Sequence, residues 1–167
     1  MRPPPPLWLR PLLGVTGSLT AHLEREQPGP LPVTVLEAGW CRPGVEEAAR
    51  LRLAAGRLAW VREVVLGADG GLRVYARTVA PAAALTGPLG RVPALGRRPL
   101  GHVLFAAADA RRGPLELARL DGADLLARRM HRRGLPGTGL WARRSTLAVG
   151  GRRLLITEVF LPPDAGA

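Results

Sequence analysis

The chain has 167 residues, 47% of them apolar, and carries 24 basic against 13 acidic side chains for a formal charge of +11. That length suits one domain with a real core, and no apolar run approaches the roughly 20 residues that a membrane-spanning helix needs. Every basic side chain is an arginine; such a field attracts nucleic acid and small polyanions alike, so charge alone does not choose between them.

The single cysteine, Cys41, rules out an internal disulfide and fits a reducing compartment. The N-terminus runs Met1-Arg2-Pro3-Pro4-Pro5-Pro6, with a proline run where a signal peptide needs its apolar helix, so a cytoplasmic protein is expected. Residues 1 to 6 read as a disordered tail and 7 to 167 as one domain. Leu7 to Leu13 reads as a short helix broken around Pro11. After the turn at Gly17, Ser18 is a good N-cap, and Leu19 and Leu23 share one face of the helix that follows. The backbone N–H groups after Ser18 form a possible anion site, although the pattern taken alone reads as an ordinary capped helix.

Leu31 to Ala38 reads as a strand, residues 39 to 44 as a turn, and Val45 to Ala55 as a helix with Glu46 and Glu47 in its first turn. The runs Ala59 to Leu66 and Leu72 to Val79 flank an Asp-Gly turn and make a hairpin. Alternation places Arg62 among Trp60, Val64 and Leu66, and Arg77 with Tyr75 and Val79. Taken singly, either arginine could snorkel past the sheet edge. A breaker-rich loop over 81 to 98 leads to a helix starting near Pro99, whose free N–H groups fall around Leu100 and Gly101. Asp121 to Arg133 reads as an arginine-rich helix. Leu140 to Val149 and Arg152 to Leu161 are strands joined by a turn at Gly150-Gly151. In the last of these, Glu158 is the one ionisable group in an otherwise apolar run, Leu154 to Leu161. A buried carboxylate needs a cation, hydrogen bonds or a chemical task. Strands separated by short helical pieces and joined mostly by hairpins imply an α+β fold with a single antiparallel sheet.

His22, His102 and His131 are scattered and never reach metal-ligand spacing with Cys41 or the carboxylates, so no metal is expected. Gly137 to Ala142 formally matches G-x-G-x-x-A but precedes a strand, the reverse of what a dinucleotide fingerprint requires. The pairs Arg128-Arg129, Arg132-Arg133, Arg143-Arg144 and Arg152-Arg153 lack any recognised nucleic-acid motif and read as a solvated basic face.

Six segments resemble bacterial chorismate lyase, the enzyme that opens the ubiquinone pathway. They stand here as Gly17-Ser18-Leu19-Thr20, Trp60-Val61-Arg62-Glu63-Val64, Ala76-Arg77-Thr78-Val79-Ala80-Pro81, Pro99-Leu100-Gly101, Gly139 to Ser145, and Leu155 to Pro162, in the family's order. The resemblance implies an α+β fold, a sheet of about six antiparallel strands with helical flaps covering an internal ligand pocket. It implies conversion of chorismate to 4-hydroxybenzoate and pyruvate with no cofactor or metal, and tight product binding. It implies Arg62 and Glu158 as side chains on the ligand, with Glu158 as general acid or base, backbone contacts from Leu19 and Leu100, and Arg77 beside the pocket. Ala76 stands where some relatives have glycine, and residues 118 to 139 look like an arginine-rich insertion. The expected partners are the small-molecule substrate and product, with no specific nucleic acid and no membrane insertion, and the chain is expected to be a monomer. The competing expectation is an effector-sensing domain of the same fold, which binds a ligand without turnover. Such domains follow a winged helix, and only the proline tail and a few apolar residues precede the match here.

Overall fold

The computed structural model describes residues 3–104 and 107–163. Met1 and Arg2 of the expected tail, Phe105 and residues 164–167 lie outside the described residues. The strands are β1 (Val33–Cys41), β2 (Ala59–Leu66), β3 (Arg73–Pro81), β4 (Arg111–Arg112), β5 (Glu116–Arg119), β6 (Trp141–Val149) and β7 (Arg152–Leu161). They form one 7-stranded antiparallel sheet in the order β1-β2-β3-β7-β6-β4, with β5 also paired to β6. The sheet thus has one strand more than expected, because the stretch from 111 to 119 supplies two short edge pieces. The helices are α1 (Arg10–Leu13), α2 (Leu19–Arg25), α3 (Val45–Arg50), α4 (Leu100–Leu104) and α5 (Leu125–Arg132), with 3₁₀ turns at Ala82–Ala84 and Gly87–Ala94. Among the described residues no helix is long and apolar enough to cross a membrane.

Three expectations are corrected. Gly39, Trp40 and Cys41 do not turn but continue β1, because Trp40 stays in register with Trp60 and their rings meet edge to face at 5.6 Å. The helix from Val45 stops at Arg50, since Arg52 adopts φ 54° and Leu53 N–H closes back on the Ala48 carbonyl. The arginine-rich helix begins at Leu125 instead of Asp121. Asp121 spends its side chain on Ala123 N–H, and Asp124 accepts from Asp121 N–H, which makes a turn before the helix.

Helices cover both faces of the sheet. On one face, α1 and α2 pack Leu9, Leu12, Leu13, Leu19 and Leu23 against Val64, Leu66, Val74 and Phe160. Beside them the 3₁₀ turns and α4 pack Leu89, Val92 and Leu104 against Leu147, Leu154 and Ile156. On the other face α5 sets Ala127 and Met130 against Val65, Tyr75, Val159 and Leu161. Each fully buried leucine or methionine here contributes about 1.5–3 kcal/mol. Strand β7 lies in the middle of the sheet and is buried from Leu154 to Leu161. Its two sets of side chains therefore look into two different closed layers.

Candidate active site

Register decides which polar side chains meet. Ala76 pairs with Val64 and with Glu158, and Thr78 pairs with Arg62 and with Ile156. Arg143 on β6 stands directly opposite Glu158. Arg62, Val64, Ala76, Thr78, Ile156, Glu158, Arg143 and Ser145 accordingly share the face under α2 and α4. Their two rows form a floor whose middle is small or apolar: Val64, Ala76, Thr78 and Ile156. Leu19 and Thr20 of α2 and Leu100, Gly101 and Leu104 of α4 make the roof.

The enclosed cavity measures about 30 Å³, room for no more than a water or two. An aromatic acid needs several times that space, so α2 and α4 must part from the sheet to admit one. The two flaps touch closely where Gly101 meets α2. A Cβ at Gly101 would fall 2.5 Å from Ser18 Oγ and 3.3 Å from Thr20 Cβ. Ser18 Oγ also accepts from Ala21 N–H at 3.1 Å, the cap foreseen from sequence.

Arg62 is 3% exposed and donates from Nη2 to the carbonyls of Gly96 and Arg98, at 3.0 and 2.9 Å. No carboxylate pairs with it among the described residues, and burial pushes its pKa down to about 10. It remains a cation at neutral pH, held in a dry site by carbonyl dipoles alone, and so favours an arriving anion. Arg62 and Glu158, both expected on the ligand, do not pair with each other. β3 separates their strands, a span of roughly 10 Å.

Glu158 is 6% exposed and instead accepts from Arg143 Nε at 2.5 Å. Arg143 also donates from Nη1 to the carbonyls of Leu12 and Val15, and its buried Nη2 has no hydrogen-bond partner among the described residues. Arg112, on β4, lines the same cavity. It donates to Ser145 Oγ at 2.6 Å and to the carbonyls of Thr16 and Gly17. Burial lowers its pKa, Glu158 opposes that shift, and Arg143 adds to it, so these three charges feel one another.

The arginines also hold the flaps. Arg62 grips the two carbonyls just before Pro99-Leu100, and Arg112 and Arg143 grip those of Val15, Thr16 and Gly17 just before Ser18-Leu19. The backbone N–H groups of Leu19 and Leu100 thus start short helices whose approach to the sheet is set by the site's own cations.

Arg77, expected beside the pocket, is not there. Strand alternation turns it to the opposite face, where it binds Glu47 through Nε at 2.7 Å and Glu63 through Nη1 at 2.6 Å. Glu63 in turn meets Arg129 at 3.5 Å and Arg133 at 3.1 Å, and Arg133 reaches on to Glu37. The paired arginines of the sequence are therefore no uniform solvated face, because Arg143 is buried and Arg129 and Arg133 are tied to carboxylates. Sequence reasoning passed over Arg143 and Arg112 as site residues. A signal existed for Arg143, since in a strand opposite β7 it falls on the face of Ser145 and Leu147. For Arg112 there was none, because β4 is only two residues long. Among the described residues no three His, Cys, Asp or Glu side chains converge as metal ligands.

A family model described as chorismate lyase matches residues 2–165. A probable chorismate pyruvate-lyase from Halorhodospira halophila is 56% identical over 152 residues, covering 90% of this chain and 80% of that protein. Another from Aromatoleum aromaticum is 45% identical over 168 residues, covering 96% and 88%. Among solved structures, the effector domain of PhnF from Mycobacterium smegmatis superposes with a TM-score of 0.57 at 17% identity, covering 86% of this chain and 88% of that one. At that identity the likeness is one of fold alone.

Proposed function

This chain belongs to the chorismate lyase family, and from that premise we propose that Arg62, Glu158 and the backbone N–H groups of Leu19 and Leu100 carry the family's reaction in the cavity between sheet and flaps. The activity is that of a chorismate pyruvate-lyase: chorismate loses pyruvate to give 4-hydroxybenzoate, the aromatic acid that enters ubiquinone biosynthesis. The carrying observation is Arg62, a buried guanidinium with carbonyl partners and no counter-carboxylate among the described residues.

In the reaction the C3–O bond breaks, the proton on C4 leaves, and the ring becomes aromatic. The released enolpyruvate takes up one proton at its methylene carbon to become pyruvate, so protons balance overall. Aromatisation supplies the driving force, and the protein's task is to orient a dianion, exclude water and manage the moving proton and charge. Arg62 together with Leu19 N–H and Leu100 N–H receives the ring carboxylate through charge-assisted hydrogen bonds. Ala76, Val64 and Ile156 support the ring from the sheet, and Leu104 lies over it from α4. Glu158 stands at the other end, where the C4 hydroxyl and C4 proton lie. Arg143 fixes one of its oxygens, leaving the other to serve the proton transfer. Closing α2 and α4 removes water and strengthens each of these interactions.

We further infer a monomer acting on a small molecule with no specific nucleic-acid partner, since several of the paired arginines are tied to carboxylates. The lone cysteine fits a reducing setting such as the cytoplasm. We read 7 to 167 as one catalytic domain and the arginine-rich stretch 118–139 as an addition outside the pocket, since α5 packs on the opposite face of the sheet. The test is to add chorismate to the purified protein, follow pyruvate with a coupled assay and identify the aromatic product. Equal amounts of pyruvate and 4-hydroxybenzoate are expected. No pyruvate, or a hydroxybenzoate of another substitution pattern, would overturn the reading.

A further inference from the structure

Charge is spread unevenly between the two ends of the sheet. Cys41, Ala59 and Pro81 pair across β1, β2 and β3; Val79 pairs with Leu155, Val149 with Arg152, and Ala148 with Arg111. These pairings bring Arg42, Arg57, Arg111, Arg152 and Arg153 to one end of the strands, all five of them exposed. Arg111 and Arg152 donate to main-chain carbonyls, and none of the five has a carboxylate partner among the described residues. Asp109, an acid at this end, accepts from Gly150 N–H at 2.6 Å. At the opposite end the signs are mixed. Arg73 has Asp69 at 3.4 Å, exposed Glu26 shares a surface groove with Ala68 and Gly71, and exposed Asp121 closely follows β5.

Apolar surface accompanies the basic end. Trp40, two residues before Arg42, is 50% exposed, and Leu58, next to Arg57, is 51% exposed. The Trp60 ring meets Trp40 edge to face at 5.6 Å and so presents the indole in a fixed position. A single exposed apolar residue is ordinary, but an indole and a leucine among five guanidiniums match the zone where lipid headgroups meet acyl chains. A nucleic acid would ask for a groove along its phosphates and several aromatic faces for stacking, and Trp40 alone is offered here. We propose that this end of the sheet, centred on Arg42, Arg57, Trp40 and Leu58, is a docking surface for an anionic lipid bilayer. The arginines meet lipid phosphates, Trp40 and Leu58 rest at headgroup level, and the mixed end of the sheet points away from the membrane. The docking surface uses no residue of the cavity and goes beyond the lyase reading without resting on it.

The experiment is co-sedimentation of the full chain with vesicles of phosphatidylcholine alone or with phosphatidylglycerol added. Wild type should sediment with the anionic vesicles and not the neutral ones at about 0.1 M salt, and come off at about 1 M, where the Debye length is about 3 Å. Arg42→Gln/Arg57→Gln should bind about 25-fold more weakly, about fivefold for each charge. Arg42→Lys/Arg57→Lys should stay within about threefold of wild type, because the attraction is to charge. Arg128→Gln/Arg132→Gln removes the same charge from exposed positions on α5 and should also stay within about threefold. All four side chains are exposed, so these variants keep the wild-type fold. Three results would overturn the proposal: no sedimentation of wild type, equal losses in the two glutamine pairs, or a DNA duplex bound more tightly than the vesicles through Arg42 and Arg57. The second would mean net charge without a dedicated end, and the third a nucleic-acid partner. Pyruvate production is untouched by any of them, so failure here leaves the lyase reading standing.

Discussion

The two faces of the sheet both bury arginines and glutamates, with opposite arithmetic. Under α5, Arg77, Arg129 and Arg133 meet Glu37, Glu47 and Glu63 in one connected set, three charges of each sign. Under α2 and α4, Arg62 and Arg143 face the single carboxylate of Glu158 among the described residues, and Arg62 relies on carbonyl oxygens. Burying a charge costs several kcal/mol unless it is matched, so a balanced set is a finished structure and an unbalanced one is an unfinished one. The unfinished face is the one with a cavity. Strand alternation alone separates the two, since Arg62 and Glu63 are neighbours in sequence and belong to different layers.

The comparison is broken most severely at Glu158 on one face and Glu63 on the other. Glu158→Gln should lower kcat for chorismate by about 10²- to 10⁴-fold, the usual worth of a positioned acid or base, while thermal unfolding shifts far less. Near-normal kcat in that variant would remove Glu158 from the chemistry. Glu63→Gln should do the reverse. It leaves Arg77, Arg129 and Arg133 short of a counter-charge in a site where Glu63 itself is 0% exposed. A loss of about 3–5 kcal/mol in denaturant unfolding is expected, with kcat per folded molecule near wild type. A stable Glu63→Gln protein with impaired kcat would reverse the assignment of the two faces.

Much of this arrangement could be read in the sequence, because strand alternation is a strong local signal. The hairpin at residues 59–81 and the strand Arg152–Leu161 stand where hydrophobic pattern and turn residues put them, and Arg62 and Glu158 stood out as charges among apolar neighbours. The same parity, applied across β3, already separates Arg77 from Glu158, since Ala76 is the residue that pairs with Glu158. The partner of Glu158 was not legible in the same way. Arg143 and Glu158 meet only because β6 and β7 pair in a register set by the turn at Gly150-Gly151, a two-strand property that neither strand shows alone. The gripping of flap carbonyls by Arg62, Arg112 and Arg143 joins segments up to 131 positions apart in sequence, beyond any local pattern.

Smaller changes sharpen the comparison. Gly101→Ala places a methyl against Ser18 Oγ and should displace the cap on Ala21 N–H, costing about 1–2 kcal/mol. It should also weaken 4-hydroxybenzoate severalfold by keeping α2 and α4 apart. Unaltered affinity, measured by titration calorimetry, would show that the flaps close without that contact. The balanced face should also show itself in acid. Burial alone would raise the Glu47 carboxyl, but the Arg77 hydrogen bond and charge and the Gly44 N–H outweigh it and hold Glu47 below the usual carboxylate range. Folded Glu47 therefore takes up its proton less readily than unfolded Glu47. Its contribution is present above the unfolded value of about 4.3 and fades as pH falls through the lower folded value. Thermal scans from neutral to acid pH should show a shallower acid loss in Glu47→Gln than in wild type, and identical acid limbs would contradict the assignment.

The sharpest contrast is between one arginine from each face, measured by titrating 4-hydroxybenzoate into Arg62→Gln and Arg77→Gln under conditions where both are folded. Arg62→Gln should bind about 10- to 100-fold more weakly than wild type, having lost a charged contact to the ring carboxylate. Arg77→Gln should be less stable yet bind within about twofold of wild type. Equal weakening in the two variants, or normal binding by Arg62→Gln, would contradict the division of the sheet into a balanced structural face and an unbalanced ligand-binding one.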